Sequence, residues 1–335
     1  MSRETRVAVI GGGSWGTTVA SLAARNAPTI LWSRRPEVAE EIQRDHVNSV
    51  YLPGEQLDPA LSATADLEEA VSRADVLVMA VPSHGFRDVL KQAAPHVRPW
   101  VPIVSLTKGL EQATYSRMTQ VTADVLPRHP GGVLAGPNLA REVIGGYAAA
   151  AVLAMPDEHV TFALQDIFRR TSFRVYASTD VAGVEIAGAL KNVFAIAAGM
   201  SAGLSTGDNT RALVIARSLA EMTRLGVAMG GDRHTFAGLA GMGDLLATCI
   251  SPLSRNRNVG EELAKGKPIE QITAEMKMVA EGIKTSTTVM ELAERHGVEM
   301  PIAREVYGVV NEGWSAQDAF RGLLRTTPTT ELAAN

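Results

Sequence analysis

Continuous runs of apolar residues in the first half of the chain predict the strands of a buried sheet. The clearest runs are residues 7–10, 29–32, 76–81 and 102–106, and further strand candidates follow at 133–135, 148–154 and 174–177. Unbroken apolar runs are typical of parallel strands that helices cover on both faces. The pattern therefore predicts an α/β fold with a doubly wound sheet of seven or eight strands.

Segments with apolar residues at helical spacing lie between these strands. They predict helices at residues 17–24, 36–45, 66–73 and 114–126. After residue 179 the pattern is helical throughout, so we expect an all-helical second domain. The boundary is predicted between Ser178 and Val184, which gives a first domain at 1–180, a helical domain at 181–325 and a disordered tail at 326–335.

A glycine-rich loop joins the first strand to the first helix. Gly11, Gly13 and Gly16 follow residues 7–10 at G-x-G-x-x-G spacing. The first glycine permits the tight turn, the second lets a pyrophosphate approach the backbone, and the third lets helix and strand pack closely. Glycines also close ordinary turns, but the strand–loop–helix context favours a dinucleotide site.

The end of the second strand bears on which dinucleotide is bound. An acidic residue about 20 residues after the glycines would recognise the ribose 2′-hydroxyl of NAD. This chain has Ser33, Arg34 and Arg35 there, and guanidinium groups suit the 2′-phosphate of NADP. NADP(H) is therefore favoured and NAD(H) stays open, while Arg35 fits a solvated surface charge equally well.

Composition and charge exclude several classes of partner. Of 335 residues, 46% are hydrophobic and 20% charged, and the formal net charge is −4, so neither nucleic acid nor an anionic membrane is expected. The single cysteine, Cys249, fits a reducing compartment. We expect no secretion signal, no membrane span and no metal site.

Loops that follow the strands of an open α/β sheet line the ligand crevice. Residues 82–86 and 107–109 are two such loops, and Gly136-Pro137-Asn138 is a rigid turn with a polar tip. Lys108 lies between threonine and glycine at a strand end. We interpret it as a ligand for a phosphate or carbonyl oxygen, with a surface charge as the alternative.

Polar residues interrupt the predicted helical domain at three places. The first is Lys191, which breaks an apolar helix. Because an unpaired buried ammonium is costly, it must reach a carboxylate, a ligand or water, unless it extends to the surface. The second is Asp244 with Thr248, which share a helical face, although Asp244 could instead be a helix N-cap. The third is the segment 254–258, SRNRN, ahead of a helix predicted at 259–264, where clustered donors suit a substrate phosphate.

Together these segments resemble the bacterial NAD(P)-dependent glycerol-3-phosphate dehydrogenases over nearly the whole chain. The matching motifs are the glycine loop with Ser14-Trp15-Gly16, Lys108-Gly109, Gly136-Pro137, Gly188-Ala189-Leu190-Lys191-Asn192, Gly243-Asp244 and Ser254-Arg255-Asn256. The resemblance implies a Rossmann domain followed by a helical domain like that of 6-phosphogluconate dehydrogenases. It also implies reduction of dihydroxyacetone phosphate to sn-glycerol 3-phosphate for phospholipid synthesis in the cytoplasm, and we expect a homodimer.

The resemblance implies roles for individual residues as well. The implied cofactor contacts are Ser14, Trp15, Arg34, Lys108, Ala140, Arg255, Val279 and Glu281. The implied substrate contacts are Lys108, Gly136, Asp244, Ser254, Arg255 and Asn256, with Lys191 as the proton acceptor. Asn138 stands where the family usually has serine or threonine, and an asparagine amide can still donate to a substrate oxygen.

A mechanism follows as a hypothesis. Lys191, oriented by Asp244 and Thr248, exchanges a proton with the C2 hydroxyl while the nicotinamide exchanges a hydride, and Lys108 stabilises charge on that oxygen. Two alternatives stay open. A ketoacid reductase would share the glycine loop and a helix lysine but would take a substrate without phosphate. A non-enzymatic NADP sensor would lack the catalytic groups, and the presence of Lys191 and Asp244 argues against it.

Overall fold

The structure is a computed structural model that describes residues 4–276 and 280–325. The chain divides into two compact units. The first comprises the chain up to Glu111 together with Ser116–Glu185, and the second comprises Gln112–Tyr115 together with the chain from Ile186 onward.

Eight strands form one sheet in the first unit. They are β1 (Val7–Ile10), β2 (Thr29–Trp32), β3 (Leu61–Thr64), β4 (Val76–Met79), β5 (Ile103–Ser105), β6 (Gly131–Ala135), β7 (Ala149–Ala154) and β8 (Phe173–Ser178). The strand order is β3-β2-β1-β4-β5-β6-β7-β8. Neighbouring strands pair in parallel except β6 and β7, which pair antiparallel. The order of the first six strands is that of a Rossmann fold, with the topological switch point beside β1.

Helices cover both faces of this sheet. They are α1 (Ser14–Ala23), α2 (Pro36–Asp45), α3 (Leu67–Val71), α4 (Ser83–Ala93), α5 (Met118–Val125), α6 (Ala140–Ile144) and α7 (Glu158–Phe168). Val7 and Val9 of β1 pack in one apolar cluster, whereas Ala8 and Ile10 pack in another. Burial on both faces explains the unbroken apolar runs in the sequence, and the predicted doubly wound fold is confirmed.

In the second unit the described residues form helices and no strand. The helices are α8 (Val181–Gly203), which begins in the first unit, α9 (Asp208–Ala228), α10 (Arg233–Ala237), α11 (Asp244–Ile250), α12 (Arg255–Ala264), α13 (Ile269–Glu275), α14 (Glu281–His296), α15 (Pro301–Asn311) and α16 (Ala316–Arg325). A π-helical turn, Leu239–Gly243, precedes α11. Within the described residues, α8 alone has the length and mean hydropathy to cross a membrane, and 89% of that stretch is buried inside the protein, as in a core helix.

Two glycines allow α8 and α12 to touch at their backbones. A Cβ on Gly199 would lie 2.0 Å from the carbonyl oxygen of Arg257, and a Cβ on Gly260 would lie 2.1 Å from that of Ile196. No side chain fits at such distances. The start of α12 is therefore held close to the helix that carries Lys191.

Several predicted helix boundaries were wrong. Helix α1 begins at Ser14 rather than residue 17, and α3 is shorter than predicted, with Asp66 as its N-cap. Residues 83–86, predicted as part of a loop, form the first turn of α4, so only Pro82 remains in the loop. Helix α12 begins at Arg255 rather than residue 259, because Ser254 serves as its N-cap.

Three larger differences concern the chain path. Helix α5 starts at Met118 rather than residue 114, because Gln112–Tyr115 belong to the second unit. Strand β3 was not predicted, since only the first of its four residues is fully buried and the segment shows no apolar run. The division between the units falls after Glu185, inside the continuous helix α8, rather than between Ser178 and Val184. The predicted tail at 326–335 lies outside the described residues.

Candidate functional site

The glycine loop connects β1 to α1 at the carboxyl edge of the sheet. A Cβ on Gly16 would lie 2.1 Å from the carbonyl oxygen of Gly11, and a Cβ on Gly11 would lie 2.5 Å from that of Ala80. A Cβ on Gly13, by contrast, would meet no atom within 4 Å. Crowding therefore explains two of the three glycines, whereas Gly13 leaves open space in front of the backbone, as a pyrophosphate site requires.

Two further features of the loop fit a bound dinucleotide. Gly13 is the N-cap of α1, so the unpaired N–H groups of that helix begin at the loop, and its first turn contains no acidic residue. The indole of Trp15 packs edge-on against Phe173, with ring centroids 6.2 Å apart. Its buried Nε1 has no hydrogen-bond partner in the described part of the chain. A buried N–H of this kind is costly unless a ligand accepts its hydrogen bond.

The residues after β2 differ in their surroundings. Ser33 is buried, and its Oγ accepts a hydrogen bond from the main-chain N–H of Arg35 at 3.3 Å. The exposed guanidinium of Arg35 pairs with Glu37 at 2.8 Å, and hydrogen bonds with Glu37 and then Tyr51 raise the pKa of Arg35. This pairing agrees with the surface-charge interpretation of Arg35. Arg34 is also exposed, and its side chain has no ion pair within the described residues.

Lys108 lies just after β5, as predicted, and is half-buried. Its Nζ donates to the carbonyl oxygen of Gly136 at 2.9 Å, so the structure brings two predicted substrate residues together. In the orientation that satisfies its hydrogen bonds, the Asn138 amide donates to the carbonyls of Ala150 at 3.2 Å and Pro137 at 3.3 Å. Asn138 is thus engaged within its own turn. Ala140, a predicted cofactor contact, is the first residue of α6.

Lys191 lies in the interior of α8 with only 4% of its surface exposed. Its Nζ is 3.0 Å from Oδ1 of Asp244 and donates to Oγ1 of Thr248 at 2.5 Å. Thr248 Oγ1 in turn donates to the main-chain carbonyl of Asp244 at 2.6 Å. The structure therefore brings the three predicted residues into one cluster. The alternative in which Lys191 extends to the surface is wrong.

A change of helix type places Asp244. The π-helical turn ends at Gly243, which is the N-cap of α11, and Asp244 is the first residue of that helix. Such π turns are frequent at functional sites. The Asp244 carboxylate is buried against Lys191, so the N-cap alternative is also wrong. Desolvation raises the pKa of the neighbouring Cys249 thiol to about 12, which keeps it neutral beside the ion pair.

The first turn of α12 contains the predicted phosphate ligands. Ser254 caps the helix, and its Oγ accepts a hydrogen bond from the Arg257 main-chain N–H at 3.3 Å. The Arg255 side chain keeps access to solvent, yet desolvation by the surrounding protein lowers the pKa of its guanidinium. The Glu281 carboxylate, at the start of α14, opposes that shift. Arg255 is thus a cation near a helix N-terminus that an anionic ligand would favour.

Asn256 contributes to packing inside the second unit. It is buried, its Nδ2 donates to Oδ1 of Asn192 at 3.0 Å, and its Oδ1 accepts from the main-chain N–H of Gly282 at 2.9 Å. It thereby connects α12 both to the residue that follows Lys191 and to the first turn of α14. The sequence motifs contain both asparagines, but no spacing pattern reveals that they pair.

The predicted site residues therefore fall into groups within each unit. The first unit holds Gly11, Gly13, Ser14, Trp15 and Gly16 in the glycine loop, Arg34 and Arg35 after β2, and Lys108 with Gly136; the second holds Lys191 with Asp244 and Thr248, and Arg255 with Glu281. Val279, a predicted cofactor contact, lies outside the described residues. Within residues 4–276 and 280–325 no three metal-ligating side chains form a group.

Comparison with known proteins assigns the family. Profiles described as the N-terminus and the C-terminus of NAD-dependent glycerol-3-phosphate dehydrogenase match residues 6–161 and 180–321. A glycerol-3-phosphate dehydrogenase [NAD(P)+] of Sphingopyxis alaskensis is 62% identical over 96% of this chain and 97% of its own length. One from Mycobacterium tuberculosis is 59% identical over 98% of this chain and 97% of its own. The crystal structure of a glycerol-3-phosphate dehydrogenase from Coxiella burnetii is 35% identical, covers 96% of this chain and 99% of that one, and superposes with a TM-score of 0.92. The chain therefore belongs to the NAD-dependent glycerol-3-phosphate dehydrogenase family.

Proposed function

We propose that this protein catalyses the reversible NAD(P)H-dependent reduction of dihydroxyacetone phosphate to sn-glycerol 3-phosphate. The names of its relatives support this substrate, and one observation carries the proposal. The helical unit holds a buried ammonium, Lys191, beside a buried carboxylate, Asp244. Reduction of a ketone to an alcohol needs a proton at the carbonyl oxygen as well as a hydride, and an oriented ammonium is a suitable donor.

The first unit would bind the cofactor. We assign the pyrophosphate to the open side of Gly13 and the N-terminus of α1, where Ser14 and Trp15 would contact it through the first main-chain N–H groups of the helix. Arg34 would pair with a 2′-phosphate, since Arg35 is already paired with Glu37. When bound, the nicotinamide supplies the hydride.

Lys191 would hold and transfer the proton. Two of its three N–H groups point at Asp244 and Thr248, which fix the direction of the side chain. The third N–H can then donate to the C2 oxygen of the substrate. Burial of the pair excludes water from the ammonium, so the proton passes to the substrate rather than to solvent.

Arg255 and the first turn of α12 would bind the substrate phosphate. A guanidinium offers parallel N–H groups that match phosphate oxygens, and the helix N-terminus adds unpaired main-chain donors. Glu281 favours the charged form of Arg255, which keeps the guanidinium available to an anionic ligand. Ser254 and Asn256 are largely committed to internal hydrogen bonds, which favours a supporting role for both.

In the first unit, Lys108 and Gly136 form the remaining proposed substrate site. The Nζ of Lys108 holds the Gly136 carbonyl, which fixes an ammonium at the carboxyl end of β5. Such a charge would stabilise negative charge on a substrate oxygen. Ala140 would contact the cofactor through the backbone at the start of α6.

We also propose a cellular setting and an assembly. Reduction in the cytoplasm would supply sn-glycerol 3-phosphate for phospholipid synthesis, and the lone, buried Cys249 is compatible with a reducing compartment. We propose a homodimer as well. An exposed apolar row at helical spacing, Met242, Leu246 and Ile250, supports this assembly because such rows often mark interfaces. Light scattering would test it, with Leu246→Glu expected to shift the mass towards the monomer.

Loss of NADPH absorbance at 340 nm tests the proposed reaction. Dihydroxyacetone phosphate should give rapid oxidation, whereas dihydroxyacetone, pyruvate and ketopantoate should give little. Turnover of ketopantoate above that of dihydroxyacetone phosphate would support a ketoacid reductase instead. Binding of NADPH without turnover of any carbonyl would support a sensor.

A further inference from the structure

A buried asparagine outside the sequence motifs contacts the glycine loop. Asn48 lies in the loop after α2, and its side chain is completely buried. It is 36 residues from Gly12 in sequence, and nothing in the spacing of polar residues marks it.

The hydrogen-bonding groups of Asn48 are all engaged. One amide N–H donates to the carbonyl oxygen of Gly12 at 3.0 Å, and the other donates to Oγ1 of Thr17 in α1 at 2.9 Å. Oδ1 accepts from the main-chain N–H of Tyr51 at 3.1 Å. One side chain thus ties the glycine loop and the first helix to the loop that follows α2.

The bond to Gly12 fixes the direction of the next N–H group. The peptide between Gly12 and Gly13 is trans, so the Gly12 carbonyl and the Gly13 N–H point in opposite directions. With its carbonyl held on the buried side by Asn48, this peptide directs the Gly13 N–H away from Asn48. Gly13 is the residue of the loop with open space beside it.

The support under Asn48 is itself rigid. Leu52 and Leu57, in the same loop, are buried in the core of the first unit, and the Leu57 N–H donates to the His46 carbonyl at 2.8 Å. On its other side Gly12 is confined by Ser33, whose Cβ would lie 2.9 Å from a Cβ at this position. The peptide therefore has little freedom to rotate while the bond to Asn48 exists.

We propose that Asn48 is a positioning residue of the cofactor site, which holds the Gly12–Gly13 peptide so that the Gly13 N–H donates to the pyrophosphate. The inference rests on the glycine loop being the pyrophosphate site, as proposed above. It assigns to Asn48 no contact with substrate or cofactor. Its effect passes through the main chain alone.

Asn48→Asp tests the proposal because it replaces the donor to Gly12 with a carboxylate oxygen that repels that carbonyl. The pyrophosphate is common to both cofactors, so the KM values for NADPH and NADH should rise by the same factor, at least tenfold. At saturating cofactor, kcat and the KM for dihydroxyacetone phosphate should stay within threefold of wild type. Asn48→Ser, which removes the amide without adding charge, should act in the same direction and serves as the variant if Asn48→Asp does not fold.

Two further variants separate the outcomes. Asn26→Asp is the control for loss of an amide that donates to two main-chain carbonyls of this unit, those of Ile167 and Arg169, both at 3.0 Å. It should leave both cofactor KM values unchanged. Because Asn26 is exposed and Asn48 is buried, the uncharged Asn48→Ser controls for the buried charge that Asn48→Asp adds. Gly13→Ala places a methyl group in the open space and should weaken binding of both cofactors without loss of stability.

If Gly13→Ala weakens binding while both Asn48 variants keep cofactor KM values within twofold of wild type, the role of Asn48 is refuted and the pyrophosphate site stands. If Gly13→Ala has no effect either, the proposed site itself is refuted. A parallel fall in kcat and rise in every KM for the Asn48 variants, matched by a lower melting temperature, would show a structural role and overturn the proposal.

Discussion

Replacing Lys191 with methionine separates the proton-transfer role of the ammonium from the packing role of the side chain. Methionine keeps a long unbranched side chain and removes the charge. In the structure the ammonium lies 3.0 Å from the Asp244 carboxylate, and the two side chains are 6% and 3% exposed. The substitution therefore leaves a carboxylate in the interior of the helical unit without its cation.

The cost of that uncompensated charge follows from the general behaviour of buried ion pairs. Removing one partner destabilises proteins by about 3–5 kcal/mol, because the other charge stays in the interior without compensation. We therefore expect Lys191→Met to lower the free energy of unfolding by about 3–5 kcal/mol at neutral pH.

A second substitution distinguishes stability from catalysis. Asp244→Asn in the Lys191→Met background removes the buried charge, so the double variant should be more stable than Lys191→Met, by roughly 2 kcal/mol. Activity should not recover. We expect kcat to fall at least about 100-fold in Lys191→Met, the lower end of what general acid–base catalysis contributes, and to be little lower in the double variant.

Denaturant unfolding and steady-state kinetics at 340 nm on the same variants provide the measurements. Lys265→Met is the control, because Lys265 pairs with Glu262 at the surface with 63% of its side chain exposed, and exposed pairs contribute at most about 1 kcal/mol. A Lys191→Met enzyme with kcat within threefold of wild type would refute the proton-transfer role. A double variant less stable than Lys191→Met would refute the reasoning about the buried pair.

The other predictions concern cofactor choice, the substrate phosphate and pH. Arg34→Ala should weaken NADPH by about 1–3 kcal/mol more than NADH, and equal losses of the two cofactors in binding titrations would contradict its role at the 2′-phosphate. Arg255→Lys should raise the KM for dihydroxyacetone phosphate markedly, because an ammonium cannot reproduce the planar guanidinium; equal turnover of dihydroxyacetone by the wild type would contradict the phosphate site. Glu221, buried in α9, accepts the N–H groups of Ile302 and Ala303 at 2.8 and 3.2 Å, and burial raises its pKa to about 7. The folded protein therefore binds the Glu221 proton more tightly than the unfolded chain does. The protonated side chain adds to the free energy of unfolding at low pH, and this contribution is lost as the pH rises from about 4.5 to about 7. Glu221→Gln should remove that part of the pH dependence of the melting temperature, and parallel pH profiles of wild type and variant would argue against it.

The sheet was predictable because its strands are buried on both faces. Residues 7–10 and 29–32 form strands with the predicted bounds, since both segments consist of β-forming residues and the only polar one, Thr29, is at the start of its strand. By contrast, β3 shows no apolar run and was missed. The antiparallel pairing of β7 with β6 was also invisible, because strand direction depends on the connections and not on the apolar pattern.

The course of the chain between the units could not be predicted. Residues 114 and 115 were assigned to the start of a helix, but residues 112–115 belong to the second unit, where Tyr115 donates a hydrogen bond to Glu291 and Arg295 lies over its ring at 4.4 Å. Tyr115 has a φ of +60°, a conformation rare for a residue with a side chain. These contacts join residues about 180 positions apart, and no local pattern carries information about such a partner.

The difference between Lys191 and Asn48 shows which site residues a sequence reveals. An ammonium inside an apolar helix is too costly to leave unpaired, so its presence alone predicted a partner, and Asp244 was a suitable candidate because it too interrupts an apolar segment. Asn48 lies in a polar loop, where an asparagine is ordinary, and its burial and its bond to Gly12 arise only from the fold. A residue that contacts the substrate is often a polar residue inside an apolar segment, and the sequence shows it. A residue that positions the main chain can lie among other polar residues, where the sequence does not distinguish it. Residues of the second kind are therefore found by following the hydrogen bonds of the catalytic loops in the structure.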